Sequence, residues 1–193
     1  MLRRLLLDVV SPPLPDGLLL AEIAPSQRLV ELAFNLPAAP LTPAALNTWL
    51  ETPVYVLLWL PFQPLSGYLK GYIDLVVHQR GRYYLIDWKS NHLGERQTDY
   101  GQWQLAEAMN RHGYHLQYLL YSVALQRYLR RRIADYDHAR HFGGVLYLFV
   151  RGVRPDWLEN RPTGASHPCG VYFHRPSGET LDFLDALLRG ERS

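Results

Sequence analysis

Two aspartates sit inside apolar, strand-like runs, one on each side of a tight turn. Residues 68–78 and 82–90 are rich in β-branched and aromatic side chains, and Gln79-Arg80-Gly81 between them is a hairpin signal. Asp74 lies between Ile73 and Leu75, and Asp87 between Ile86 and Trp88. With the turn centred between Arg80 and Gly81, Gln79 faces Arg82, His78 faces Tyr83, and Asp74 faces Asp87. The two Cβ atoms would then lie roughly 4.5–5.5 Å apart. Asp87 and Lys89 are two residues apart and share that face. Such carboxylates must be desolvated, and like charges directly opposite destabilise a sheet unless something positive sits between them. A divalent cation and the Lys89 ammonium both meet that need. A single Asp of this kind is most simply a solvent-facing residue at a sheet edge. Two of them, with an Asp-X-Lys on one face, point to a hydrolytic metal site.

The chemistry that fits is phosphodiester hydrolysis. It needs a nucleophilic water, stabilisation of a highly charged transition state, and help for the leaving oxygen. Mg²⁺ takes hard oxygen ligands from one or two carboxylates and keeps several waters. Asp74 and Asp87 supply such ligands for an ion that activates water and polarises phosphate. Lys89 then positions or deprotonates the water and neutralises phosphate charge.

The rest of the chain reads as an α/β domain around a small mixed sheet. Residues 1–27 are Pro-rich and irregular, and are expected to be a linker or a truncated start; residues 28–193 form the domain. Residues 27–36 predict a first strand, and Thr42-Pro43 opens a short helix that ends before Pro53. Residues 99–110 and 114–133 read as helices, the second long and amphipathic, packing through Leu116, Leu120, Ala124 and Tyr128. Residues 145–150 form a continuous apolar run of the buried-strand type, 170–174 a short strand and 180–188 a last helix.

Composition removes several alternatives. With 193 residues, net charge +2 and 48% hydrophobic residues, the chain has the size and balance of one ordinary globular domain. Its one cysteine, Cys169, rules out an intrachain disulfide and a four-cysteine cluster. No stretch approaches the roughly 18 apolar residues of a membrane span, and Asp8 interrupts the early leucines too soon for a signal peptide. A cytoplasmic location is expected. No Gly-rich nucleotide loop is present, so any ATP dependence would come from a separate motor. Of the 20 basic residues only Lys70 and Lys89 are lysines. Arg127, Arg130, Arg131 and Arg132 form the densest basic cluster, by default a solvated helix face and alternatively a phosphate-binding one.

The run Lys70-Gly71-Tyr72-Ile73-Asp74-Leu75, followed by Tyr84-Leu85-Ile86-Asp87-Trp88-Lys89-Ser90-Asn91, resembles the RecB-family branch of the PD-(D/E)XK nucleases. Gln117 and Tyr121 resemble that family's Gln-X-X-X-Tyr motif. They are four apart and share a helical face, although spacing alone equally allows a capping Gln and a core Tyr. Residues 128–152 are similar to the nuclease domains of RecB-type subunits of exodeoxyribonuclease V. The resemblance runs from about residue 30 to 153.

It implies a restriction-endonuclease-like core. It also implies Asp74, Asp87 and the Trp88 carbonyl as ligands of Mg²⁺, with Glu31 of the first strand acting on the metal through water. Lys89 would be the catalytic lysine, and Gln117 and Tyr121 would orient the carboxylates or the strand. The implied activity is metal-dependent exonucleolytic cleavage of linear single- or double-stranded DNA in recombinational double-strand-break repair. The implied partners are RecC- and RecD-like subunits and a helicase portion.

One departure stands out. The family carries a His ligand in a helix upstream of the first strand, whereas the first histidine here is His78. His92, just past the second strand, is a poor substitute for that ligand and is expected to be a surface loop residue. The departure motivates an alternative, a catalytically inactive nuclease-fold module used for DNA binding or subunit contact. A further rival is an RNA- or nucleotide-directed hydrolase on the same core.

Overall fold

A computed structural model describes residues 2–41, 65–160 and 166–191. The short helix expected after Thr42 and the apolar run 54–60 lie outside the described residues. Among the described residues, seven strands and five helices follow in chain order. They are α1 (Leu2–Val10), β1 (Arg28–Leu41), β2 (Leu65–Gln79), β3 (Arg82–Lys89), α2 (Gln102–Arg111), α3 (Tyr114–Arg130), α4 (His138–His141), β4 (Phe142–Phe149), β5 (Leu158–Asn160), β6 (Ser166–Pro168), β7 (Val171–His174) and α5 (Gly178–Leu188). The main sheet has the order β1-β2-β3-β4-β7, and β5 and β6 form a separate small hairpin. Among the described residues only the β3–β4 pair is parallel, and α2 and α3 lie in the connection between those two strands. The architecture is therefore the mixed, helix-flanked sheet of a restriction-endonuclease-like α/β fold.

The β2–β3 hairpin turns on Arg80 and Gly81, with φ of 50° and 78°. Positive φ at both central residues is what a two-residue turn matched to strand twist requires. Its register pairs Gln79 with Arg82 and His78 with Tyr83, as the turn predicts. The ladder ends at Leu75–Ile86, however, so the expected Asp74–Asp87 pair is not formed as a ladder pair. The Asp74 carboxylate instead accepts a hydrogen bond from the Trp88 amide (3.0 Å), taking a donor that a strand carbonyl would otherwise use. Around Asp74 the alternation of β2 also shifts, since Ile73 and Val76, three residues apart, both enter the same core. In β1, Glu31 at the same level has φ of 51°. The two strands therefore kink together where they leave β3.

Cores lie on both sheet faces. Leu85, Val145, Tyr147 and Phe149 pack against α2, α3 and α5 on one side. Tyr84, Ile86, Leu146 and Leu148 pack on the other side against Val9, Leu14, Leu18 and Ile23. The strands at the centre are buried on both faces, so they read as apolar runs without polar alternation. The opening segment carries α1 and three 3₁₀ turns and covers the second face. Its prolines serve turns; Leu14 and Leu18 bridge in antiparallel fashion across Pro15-Asp16-Gly17.

The long helix also packs more deeply than its pattern predicts. His115, Tyr118, Leu119, Ser122, Val123, Leu125, Gln126 and Leu129 are buried together with Ala124, whereas Leu116, Leu120 and Tyr128 are only partly buried. Hydrogen bonds accompany the burial of two polar members: His115 with Tyr118, and Gln126 with Asp182 and His138. No helix among the described residues is long and apolar enough to cross a membrane.

Leu18 is 0% exposed. Leu18→Ala is expected to lower stability in urea unfolding by about 2–5 kcal/mol, the usual cost of emptying a core leucine site. A change near zero would show that this segment contributes nothing to the core.

Candidate active site

Lys89 lies at the end of β3 with its ammonium turned inward. Asp87 and Lys89 point to the same side, and Lys89 Nζ is 2.6 Å from Asp87 Oδ1. Both residues are buried, at 3% and 8% exposure. Lys89 Nζ also donates to Gln117 Oε1 at 2.9 Å. Its remaining side rests over the Tyr114 ring, 3.9 Å from the centroid, with the Tyr147 ring at 4.8 Å. A buried ammonium costs several kcal/mol of desolvation, and here it is met by a carboxylate, an amide oxygen and two aromatic faces.

Gln117 ties this cluster together. Its Oε1 accepts from Lys89 and from the Tyr147 hydroxyl (3.1 Å), and its Nε2 donates to the Tyr121 hydroxyl (3.0 Å). Both lone pairs of the amide oxygen are thereby used. Four residues from α3, β3 and β4 thus hold one another's orientation. Tyr114, at the start of α3, donates its hydroxyl to Asn91 just past β3 (3.2 Å), which fixes the ring beneath Lys89.

The electrostatics follow from this packing. Burial holds the Asp87 carboxyl above the usual carboxylate range; Lys89 pulls it back, and the neighbouring Asp74 charge pushes it further up. Burial likewise raises the Tyr121 and Tyr147 phenols, with the Asp87 and Asp74 charges adding to it, so both stay neutral hydrogen-bonding groups at neutral pH. That Asp74 acts on Asp87, Tyr121 and Tyr147 places its charge beside the same cluster.

The structure thus brings together Asp74, Asp87, Lys89, Gln117 and Tyr121. Trp88, between the two key residues of β3, is 36% exposed, and its amide anchors Asp74. Glu31 is exposed and level with Asp74 across the β1–β2 ladder. It does not complete a ligand group, because no three His, Cys, Asp or Glu side chains converge for a metal ion among the described residues. His92 lies in a loop and pairs with Glu95 at 3.0 Å. Tyr114, Tyr147 and Asn91 escaped the reading of the sequence. The available signal for Tyr147 was its position as the one polar-tipped side chain in the run 145–149.

The arginine cluster is exposed at Arg130, Arg131 and Arg132, as expected. Much of its charge is locally compensated: Arg127 pairs with Asp185, and Arg130 with Asp182 at 2.7 Å. Arg132 lies over the Tyr128 ring at 3.6 Å.

The fork between β2 and β3 carries an aspartate on each arm and a lysine two residues beyond the second. The family model described as the PD-(D/E)XK nuclease superfamily matches residues 23–179, and the chain belongs to that superfamily. Within it the similarity is to the RecB branch. The chain is 42% identical over 188 residues to the RecBCD enzyme subunit RecB of Escherichia coli, covering 94% of this chain and 15% of that protein. It is 49% identical over 130 residues to the subunit of the same name from Mycobacterium tuberculosis, covering 66% of this chain and 12% of that one. With the Mycolicibacterium smegmatis subunit the identity is 35% over 209 residues, covering 95% and 19%. The chain therefore spans less than a fifth of the length of these relatives.

Gln117→Ala would leave Lys89 and two phenols without their shared partner. A destabilisation of about 1–3 kcal/mol is expected in chemical denaturation. Tyr121→Phe, which removes one hydroxyl from the rim of the network, should cost about 1 kcal/mol or less. Equal small losses from both would show that Gln117 does not organise the cluster.

Proposed function

We propose that this chain is the nuclease domain of a RecB-type subunit and hydrolyses phosphodiester bonds of linear DNA. The observation that carries the reading is the Lys89 ammonium, held between Asp87 and Gln117 beside a second carboxylate, Asp74. A purely structural ion pair would not need a second carboxylate whose charge works against the first.

The residues suit a divalent cation. Asp74 and Asp87 are hard oxygen donors at the fork, and their mutual repulsion favours a positive ion. With the Trp88 carbonyl they would hold Mg²⁺ with a largely water-filled shell, and Glu31 would act through water. When bound, Mg²⁺ supplies Lewis-acid polarisation of the phosphate and a more acidic water. The chain's own contribution is orientation. Lys89 presents a fixed ammonium at the carboxylate edge, where it neutralises phosphate charge and orders the attacking water. Gln117 prevents that ammonium from swinging away, and Tyr147 and Tyr121 keep Gln117 in place. Asp74, bound to the Trp88 amide, sets the spacing of the two arms.

By the same reading the domain works in a RecBCD-type assembly, exodeoxyribonuclease V, in double-strand-break repair by recombination. RecC- and RecD-like subunits and a helicase portion would be its partners. The RecB names of its relatives support this, as does the match over 94% of the chain with the Escherichia coli subunit. An alternative on the same fold is an inactive module that binds DNA or a subunit.

Purified chain is expected to degrade linear DNA slowly, with a dependence on millimolar Mg²⁺. Asp87→Ala and Lys89→Ala should each reduce the rate by about 10²–10⁴-fold, the typical worth of a positioned acid–base group or its partner. Equal slow degradation by wild type and both variants would mark the activity as contamination and favour the inactive module.

A further inference from the structure

Beside the catalytic cluster, an open pocket of about 300 Å³ lies between the β1–β2 arm and α3. Its apolar walls include Phe34, Leu116, Leu120 and Tyr121, and its polar members are Lys70 and Gln117. Phe34 and Tyr121 meet edge to face, with ring centroids 5.4 Å apart at 69°. Gly71 shapes the strand wall, because a Cβ there would lie 2.6 Å from the Phe34 ring. Gln117 belongs both to this pocket and to the Lys89 network, so the pocket shares a wall with the reaction centre.

Resting on the nuclease reading, we propose that this pocket receives one unpaired nucleobase of the strand being cut. Three features select that occupant. The volume is at the small end of ligand pockets, which span roughly 300–1,000 Å³. No carboxylate lines it, and Lys70 stands on its wall, so it suits a ligand whose apolar, flat portion is joined to an anion. A nucleotide has that chemistry. The polar lining is also too sparse to read base edges: the oxygen of Gln117 is already shared by Lys89 and Tyr147, and its nitrogen donates to Tyr121. Recognition by ring and aliphatic surfaces accepts any base. A base inside a duplex has its faces stacked and its edge paired, so it must leave the helix to enter such a pocket.

The test is binding in EDTA, followed by fluorescence anisotropy. One probe is a labelled oligothymidylate of about 16 nucleotides. The other is a strand of the same length and charge made of abasic sugar-phosphates. Wild type is expected to bind the base-bearing strand about tenfold more tightly, as stacking of one base produces. Leu120→Trp fills the pocket and should cut that preference to about twofold or less; this localises the effect away from exposed Tyr68 and Tyr72. If the Leu120 variant is unfolded by circular dichroism, Phe34→Leu takes its place with the same expectation. Equal affinity of wild type for the two strands, or an undiminished preference in the folded variant, overturns the proposal. Cleavage with Mg²⁺ is read separately on the same strand. A protein that keeps the base preference but never cleaves would refute the nuclease reading and leave the pocket assigned.

Discussion

The buried contact between Lys89 and Asp87 is the interaction on which the rest of this structure depends. Ions removed from water cost several kcal/mol each, and Coulomb attraction offsets that only with good geometry and further hydrogen bonds. Here one further hydrogen bond, from Lys89 to Gln117, and two aromatic faces come from across the fold. Gln117 and Tyr114 reach in from α3, and Tyr147 from the parallel neighbour β4. Each must arrive at one ammonium, which demands that α3 cross the sheet at the level of the end of β3. The two-sided core makes this possible. Helices cover one face, while the opening segment seals the other with Leu14, Leu18 and Ile23.

The fork supplies the other half of the design. A hairpin whose ladder continued past Leu75–Ile86 would set Asp74 against Asp87 at the distance of a cross-strand pair. The strands separate instead, the Asp74 carboxylate takes the Trp88 amide, and Glu31 and Asp74 mark a shared kink. The separation keeps both carboxylates near each other without forcing them into one ladder position. It also opens the arm against α3, where the base pocket lies.

Much of this was legible in the residues. The hairpin register followed from Arg80-Gly81, because a two-residue turn with positive φ at both positions admits one pairing. Asp87 and Lys89 sharing a face followed from the period of a strand. The Gln117–Tyr121 contact followed from helical spacing, and the structure joins the two side chains by a hydrogen bond. What was hidden were events that pattern does not encode. The end of the ladder at Leu75 is set by a side chain competing with a carbonyl for one amide. Tyr147 looks like any member of a buried strand until Gln117 is placed above it. The Pro-rich start resembles a linker because its apolar residues are spaced by turns rather than by a helix or strand period. The arginine run showed no sign of Asp182 and Asp185, more than fifty residues away, that pair with Arg130 and Arg127.

Calorimetric titration of Mg²⁺ tests most directly whether the Asp74–Asp87 fork is a metal site served by Lys89. The account predicts one weak site in wild type, an affinity lowered about tenfold or more by Asp74→Asn or Asp87→Asn, and no detectable site in the double variant. Binding that is the same in wild type and in the double variant would contradict it.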